Sequence, residues 1–297
     1  MKQKAFLIHL YALLAMLFWG MSYIWTKAVF EYVDPATTVL YRLVISASLL
    51  LGLMYISGKL KSVSAAEFKL LLLSSLFNPF LYFLAESYGL LLVTPTISAV
   101  IIATIPVFMP IVAWFALHER LSVLNIIGLL ISFIGILVMI VDSSYSLVAS
   151  GKGILLLFGA VAAALVYGVL LRKLTFKLNP LTIIAYQNSI GIVYFLPIVL
   201  WLNGADTLIP PLHTDFIINI LLLGVLASSV AYVLYTQTVR VLGISKANIY
   251  TNLIPVFTAF FSFVIFGEAI TVKNISGILL VISGVAIAQI KSKNHNI

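Results

Sequence analysis

The stretch "YFLAESYGLLL" (residues 82–92) places a carboxylate, Glu86, in a run whose other residues suit the interior of a bilayer. A charge at that depth costs about 3 kcal/mol or more unless it is paired, hydrated or neutralised. Arg42, in "VLYRLVISASLLLG", is the other charge well inside an apolar run. At 1.5 Å per helical residue, Arg42 and Glu86 lie roughly 10 Å and 9 Å from one membrane face. A guanidinium and a carboxylate at one depth predict a direct ion pair that meets the demand of burial. Such a pair serves as a strut, as a gate, or as a contact for a passing solute.

Further polar side chains recur at helical spacing. Asn78, Tyr82 and Glu86 fall on one helix face, as do Ser228, Tyr232 and Tyr235, and Asn248, Asn252 and Pro255. Trp19, Tyr23 and Tyr167 add aromatic groups away from the interfacial belts. Together these residues predict a cavity lining for substrate binding or gating, with aromatic walls suited to flat or cationic solutes. The competing reading is interhelical glue, at about 1 kcal/mol per hydrogen bond. Pro106 and Pro255 interrupt apolar runs and predict helix kinks at the cavity. Glu119 and Glu268 stand at helix ends, where each is expected to cap or orient the helix that follows.

Enzymatic chemistry lacks material. His9, His118, His213 and His295 fall at the ends of apolar runs or between them. No two carboxylates share a helix face near midplane, and no HExxH, GxSxG or P-loop pattern occurs. With no cysteine, thiolate metal sites, disulfides and Cys nucleophiles are excluded. No catalytic residue, metal or cofactor is expected, and the chain is not expected to be an enzyme.

The elements that must hold these side chains are membrane helices. The 297 residues are 63% apolar and 9% charged, with mean hydropathy +1.18, whereas a soluble domain carries about 25% charged residues. Polar and turn-forming breaks divide the chain into ten apolar runs: 6–30, 35–57, 69–92, 96–117, 122–141, 153–172, 180–202, 216–239, 246–266 and 271–290. Each approaches the roughly 20 residues that cross a bilayer. The first run is too long for a cleaved signal and is read as a membrane span. With the N-terminus cytoplasmic, thirteen Lys and Arg fall inside and only Lys27, Lys152 and Lys273 outside. That bias predicts both termini in the cytoplasm. The net charge of +8 is then a topology signal, and no nucleic-acid partner is expected.

The chain also repeats itself. "IPVFMPIVAWFALHERLSVLNIIGLLISFIGI" (105–136) and "IPVFTAFFSFVIFGEAITVKNISGILLVISGV" (254–285) share 11 of 32 positions at an offset of 149. Asp34-Pro35-Ala36-Thr37 answers Asn179-Pro180-Leu181-Thr182, and Tyr41 answers Tyr186, at an offset of 145. Two units follow, 1–148 and 149–297, each of five spans. Five is odd, so the second enters the membrane inverted, as in many secondary transporters. Arg42 corresponds to Gln187 and Glu86 to Tyr235, so the charged pair belongs to one half alone.

These features resemble the drug/metabolite transporter superfamily, in particular its EamA-type branch. "FWGMSYIWTK", Arg42, Tyr88-Gly89-Leu90 and the two Pro…Glu…Asn…Gly segments carry the likeness over nearly the whole chain. His118 stands before Glu119 where the family has Gly, as at Gly267-Glu268. The resemblance implies an all-α membrane protein of ten transmembrane helices in two inverted five-helix repeats around a central cavity. It implies a secondary transporter, an exporter of small metabolites, amino acids or drugs, in the inner (cytoplasmic) membrane. Its partners are then a small-molecule substrate and the lipid bilayer; a monomer is compatible with the sequence, which sets no oligomeric state. The alternative is a non-transporting receptor or scaffold.

Overall fold

Asx-Pro turns start two of the helices and explain one repeated motif. Asp34 Oδ1 accepts from the backbone N–H of Ala36 (2.9 Å) and Thr37 (3.2 Å), and Asn179 Oδ1 accepts from that of Thr182 (2.9 Å). Each proline that follows occupies the first helical turn, where its missing N–H costs nothing. Thr94 and Ser150 cap two more helices, and Ser64 with Glu67 forms a capping box at another.

The computed structural model describes residues 2–58, 62–109, 112, 123–140 and 149–288. Among the described residues, seven helices are long and apolar enough to cross a membrane and three shorter apolar helices accompany them. In chain order they are α1 (Phe6–Val29), α2 (Pro35–Ile56), α3 (Ala65–Leu92), α4 (Pro95–Met109), α5 (Ile126–Met139), α6 (Gly151–Thr175), α7 (Pro180–Asn203), α8 (Thr214–Leu242), α9 (Lys246–Phe266) and α10 (Val272–Ile287). No strand occurs among the described residues. Leu130, Ile134, Phe260 and Val264 present exposed apolar side chains. A bilayer solvates such surfaces and water does not.

Packing partners come in matched pairs. α1 packs on α8 as α3 packs on α6, α1 on α9 as α6 on α4, and α2 on α8 as α7 on α3. α2 meets α7 and α5 meets α10 directly. At the α5–α10 contact a Cβ added to Gly277 would lie 2.8 Å from the Gly135 carbonyl oxygen, and one on Gly284 would lie 2.6 Å from that of Gly128. These four glycines are themselves two pairs at the offset of 149. Backbones approach closely there because nothing projects between them.

Four helices are interrupted, again at matched places. In α3 the turns widen over Leu76–Leu81, and Asn78, preceding Pro79, is extended (φ −148°, ψ 121°). In α8 they widen over Leu223–Ala231. α4 breaks at a turn over Ala103 and Thr104, and α9 at a 3₁₀ stretch, Ile249–Leu253. Two expectations change here. Pro106 and Pro255 do not kink continuous helices; each lies in the first turn of a helix that resumes after a break. Asn78 does not share an unbroken helix face with Tyr82 and Glu86, because the chain bends between them.

Candidate functional site

The interruptions in α4 and α9 open onto a cavity of about 80 Å³ bounded by α1, α2, α3, α4, α6, α8 and α9. A single water needs roughly 10–15 Å³, so the space holds a small solute or several waters. Trp19, Tyr23 and Arg42 line it, with Asn78, Tyr82 and Glu86 from α3. Tyr167, Tyr232, Tyr235 and Asn248 complete the set of expected residues that the cavity gathers. Ser228 stands behind Arg42 instead of at the cavity wall. Asn252 is buried outside the lining, and of the two interrupting prolines neither borders the space.

Glu86 is held by two phenols. Tyr23 donates to its Oε1 at 2.9 Å and Tyr82 to the same atom at 2.6 Å. Arg42, only 3% exposed, donates from Nε to Ser228 Oγ at 2.7 Å, and its Cζ lies 4.4 Å from the Phe83 ring centre. The direct ion pair expected of Arg42 and Glu86 is thus replaced by separate neutral partners. The two charges share the cavity and act on each other electrostatically across it. Hydrogen bonds from hydroxyls and a cation–π contact lower the cost of burial without bringing the charges together.

Aromatic groups of α1 and α8 form one wall of the cavity. The Trp19 ring lies 4.9 Å from both Tyr232 and Tyr235, edge-on to the first and tilted to the second. Its Nε1 donates to the Ala227 carbonyl at 3.3 Å. Asn78 Nδ2 donates to Tyr232 Oη at 3.2 Å, and the Tyr235 hydroxyl donates to Asn248 Oδ1. Tyr167 donates to Gln187 Oε1 at 3.2 Å, and Gln187 Nε2 to Ser74 Oγ at 2.9 Å. Gln187 of α7 therefore reaches Ser74 of α3, as its repeat partner Arg42 of α2 reaches Ser228 of α8.

Sequence reasoning passed over Ser22, Phe83, Ile102, Ile105, Ala164, Gly168, Leu171, Ile244, Thr251 and Ile254, all at the cavity wall. The repeat held a signal for three of them, Ser22, Ala164 and Gly168, whose partners were expected residues. Ser22, Trp19 and Tyr23 map onto Tyr167, Ala164 and Gly168 at an offset of 145, and Ile102 and Ile105 onto Thr251 and Ile254 at 149.

A second, wider recess of about 570 Å³ is lined by Lys27, Glu31, Ser262 and Glu268, where α1 and α9 end and α4 begins. Along α1, Trp19 and Tyr23 face the first space and Lys27 the second, with Glu31 in the turn just after the helix. Lys27 Nζ donates to the Leu91 carbonyl at 3.4 Å. Glu268 accepts from the Ser262 hydroxyl, so it ties down the end of α9 and does not cap α10; Thr271, whose Oγ1 accepts from Asn274 N–H at 3.1 Å, does that. Glu119 lies outside the described residues.

The EamA-like transporter family model matches residues 6–141 and again 151–289. The chain belongs to the EamA-like transporter family. It is a multi-pass membrane protein of transporter type. An Archaeoglobus fulgidus protein named "Uncharacterized transporter" is 25% identical over 95% of this chain and 97% of its own. Two Bacillus subtilis (strain 168) proteins, "Uncharacterized transporter YvbV" and "Uncharacterized transporter YyaM", are 26% and 27% identical; they cover 93% and 92% of this chain, and 89% and 90% of their own lengths. A solved crystal structure superposes with a TM-score of 0.70 at 16% identity, over 95% of this chain and 98% of that one, and shares the EamA-like chain's fold.

Proposed function

We propose that this EamA-like protein is a secondary-active exporter of small metabolites, amino acids or drugs. It works by alternating access between two inverted five-helix halves, 1–148 and 149–297. One observation carries the reading: the cavity wall is built from repeat-related positions of both halves, with Ser22 opposite Tyr167 and Ile105 opposite Ile254. A space shared by two like bodies opens to one side or the other as they rock. The recess at Lys27 and Glu268 lies on the same face of α1 and supplies a second mouth. α1 and α9, which line both spaces, pack closely: Thr258 Oγ1 donates to the Gly20 carbonyl at 3.1 Å, and a Cβ on Gly20 would meet Phe257 at 2.6 Å.

The chain has no nucleotide-binding motif, so transport draws on a gradient of solute or ion. It resides in the inner membrane with both termini cytoplasmic, and it is not an enzyme. Two experiments test this reading. Purified protein is screened by thermal shift against amino acids, nucleosides, vitamins and cationic dyes, because a native-state ligand raises apparent stability. Flux of stabilising solutes is then measured in liposomes. Binding without flux identifies a receptor; flux abolished by closing the cavity (Ile105→Trp) supports the transporter. For orientation, the cysteine-free chain takes single labels: Leu212→Cys reacts with an impermeant reagent from outside and Phe176→Cys only from the cytoplasmic side. The reverse pattern overturns the topology.

A further inference from the structure

The cavity wall holds one buried polar atom that no protein group serves. Asn248 is 3% exposed and its Oδ1 accepts the Tyr235 hydroxyl, yet among the described residues its Nδ2 has no partner. A buried amide donor left unsatisfied costs about 1–3 kcal/mol. Such donors are rare in native structures, and one that borders a binding cavity finds its acceptor when a ligand enters. Asn252, one turn on, also has its Oδ1 unpartnered, but it stands outside the cavity lining and the two amides do not bond each other.

The surroundings decide which acceptor fits. The charges of the cavity, Arg42 and Glu86, stand on α2 and α3, whereas Asn248 stands on α9, bonded to Tyr235, whose ring packs on Trp19. The side chains that touch Asn248 or stand one turn from it on the cavity wall are Tyr235, Thr251 and Ile244, none of them charged. A carboxylate placed there would meet one N–H, which does not repay its desolvation, since the cavity's cation, Arg42, is already engaged with Ser228 and the Phe83 ring. A neutral carbonyl oxygen needs one good donor and an apolar collar, and it finds both.

We propose that Asn248 is a specificity-determining donor of the transport site, taking the neutral carbonyl or amide oxygen of a small flat solute whose body lies against Trp19, Tyr232 and Tyr235. The proposal rests on the transporter reading and narrows its substrate class. The aromatic wall supplies stacking for the body, and Asn248 supplies the direction in which the solute lies.

Benzamide and benzylamine test it, because they share a ring and differ in whether the polar end carries a carbonyl or an ammonium. Binding to detergent-solubilised full-length protein is measured by calorimetry for the wild type, Asn248→Leu and Asn248→Asp. Asp keeps an acceptor for Tyr235 and occupies almost the same volume, so it serves if the Leu variant does not fold. Benzamide is expected to bind the wild type and to weaken about ten-fold in both variants, the loss of roughly one hydrogen bond. Benzylamine is expected to bind Asn248→Leu as it binds the wild type. Three results overturn the proposal: no benzamide binding by the wild type, equal benzamide binding by the variants, or weakening of benzylamine in place of benzamide by Asn248→Leu. Wild-type liposome flux, measured in parallel, separates the two levels. Flux with unaltered benzamide binding in the variants sinks the role of Asn248 alone, whereas absence of flux for every solute screened sinks the transporter reading.

Discussion

Arg42 reaches from α2 to Ser228 on α8, with Nε 2.7 Å from Oγ, so a buried charge is held by a hydroxyl 186 residues away in the chain. Around this bond lies a small polar cluster. Asn188 Nδ2 donates to Ser46 Oγ at 2.6 Å and to the Ser228 carbonyl at 3.2 Å, and Ser229 Oγ donates to Ser46 Oγ at 2.7 Å. Ser228 and Ser229 lie in the widened turns of α8. The cluster links α2, α7 and α8.

Ser228→Ala removes the one side-chain acceptor that Arg42 Nε has among the described residues. A hydrogen bond to a charged group contributes about 1.5–3 kcal/mol in soluble proteins, and membrane interiors give smaller values near 1 kcal/mol. The variant is expected to lose about 1–2 kcal/mol of unfolding free energy in mixed-micelle denaturation. Ser228→Thr keeps the hydroxyl and should recover most of it. A Ser228→Ala protein as stable as the wild type would show that the phenyl ring of Phe83 alone suffices for Arg42.

Accessibility separates the cavity wall from what lies behind it. Cysteines at Asn78 and Asn248 are expected to react with a small hydrophilic thiol reagent and to be protected by a bound solute. A cysteine at Ser228 is expected to stay inert, since Arg42 screens it from the space. Fast labelling of Ser228→Cys would place the aqueous boundary one layer deeper than the structure does.

Those three residues also show what was legible in the sequence. Hydrophobic runs are a local signal that indicated the apolar helices, while polar and aromatic residue types at helical spacing pointed to half of the cavity wall. Depth along α2 and α3 placed Arg42 and Glu86 in one space, because rise per residue is a fixed quantity. Their partners were not legible. Tyr23 and Ser228 come from other helices, and which neighbour supplies a hydroxyl depends on helix rotation, which hydropathy does not encode. The bend at Asn78 was written in the Asn78-Pro79 pair and was passed over in favour of unbroken helical spacing. At Pro106 and Pro255 the residue type points to a kink, whereas the break falls just before each proline, in two helices that pack on each other.

The α5–α10 crossing offers a stability test away from the cavity. A Cβ at Gly277 would lie 2.2 Å from Met139 Cγ and 2.8 Å from the Gly135 carbonyl oxygen. Met139 can swing aside, but the carbonyl belongs to helix backbone and cannot. Gly277→Ala is therefore expected to cost about 1–3 kcal/mol, the range for overpacking. Adding Met139→Ala should restore only the side-chain part. If Met139→Ala rescues the variant fully, the backbones have more freedom to separate than the crossing implies.

Glu86 is the one carboxylate among the residues that line the cavity, and no histidine stands beside it there. If transport takes up or releases a proton near neutral pH, Glu86 is the group in the cavity equipped to carry it. Both phenols donate to Oε1, and among the described residues no protein donor reaches Oε2, which leaves that atom for a proton or a solute. Glu86→Gln keeps an oxygen for Tyr23 and Tyr82, so the variant is expected to fold, with a loss of about 1 kcal/mol per bond as charged acceptors become neutral. Its flux in liposomes is expected to lose the pH dependence of the wild type while solute binding persists. Tyr23→Phe and Tyr82→Phe each remove one donor and leave the carboxylate in place. They should shift the pH profile and keep its shape, because the titrating group survives with one stabilising bond fewer. A Glu86→Gln protein with wild-type flux and an unchanged pH profile would reduce the carboxylate to a strut between α1 and α3.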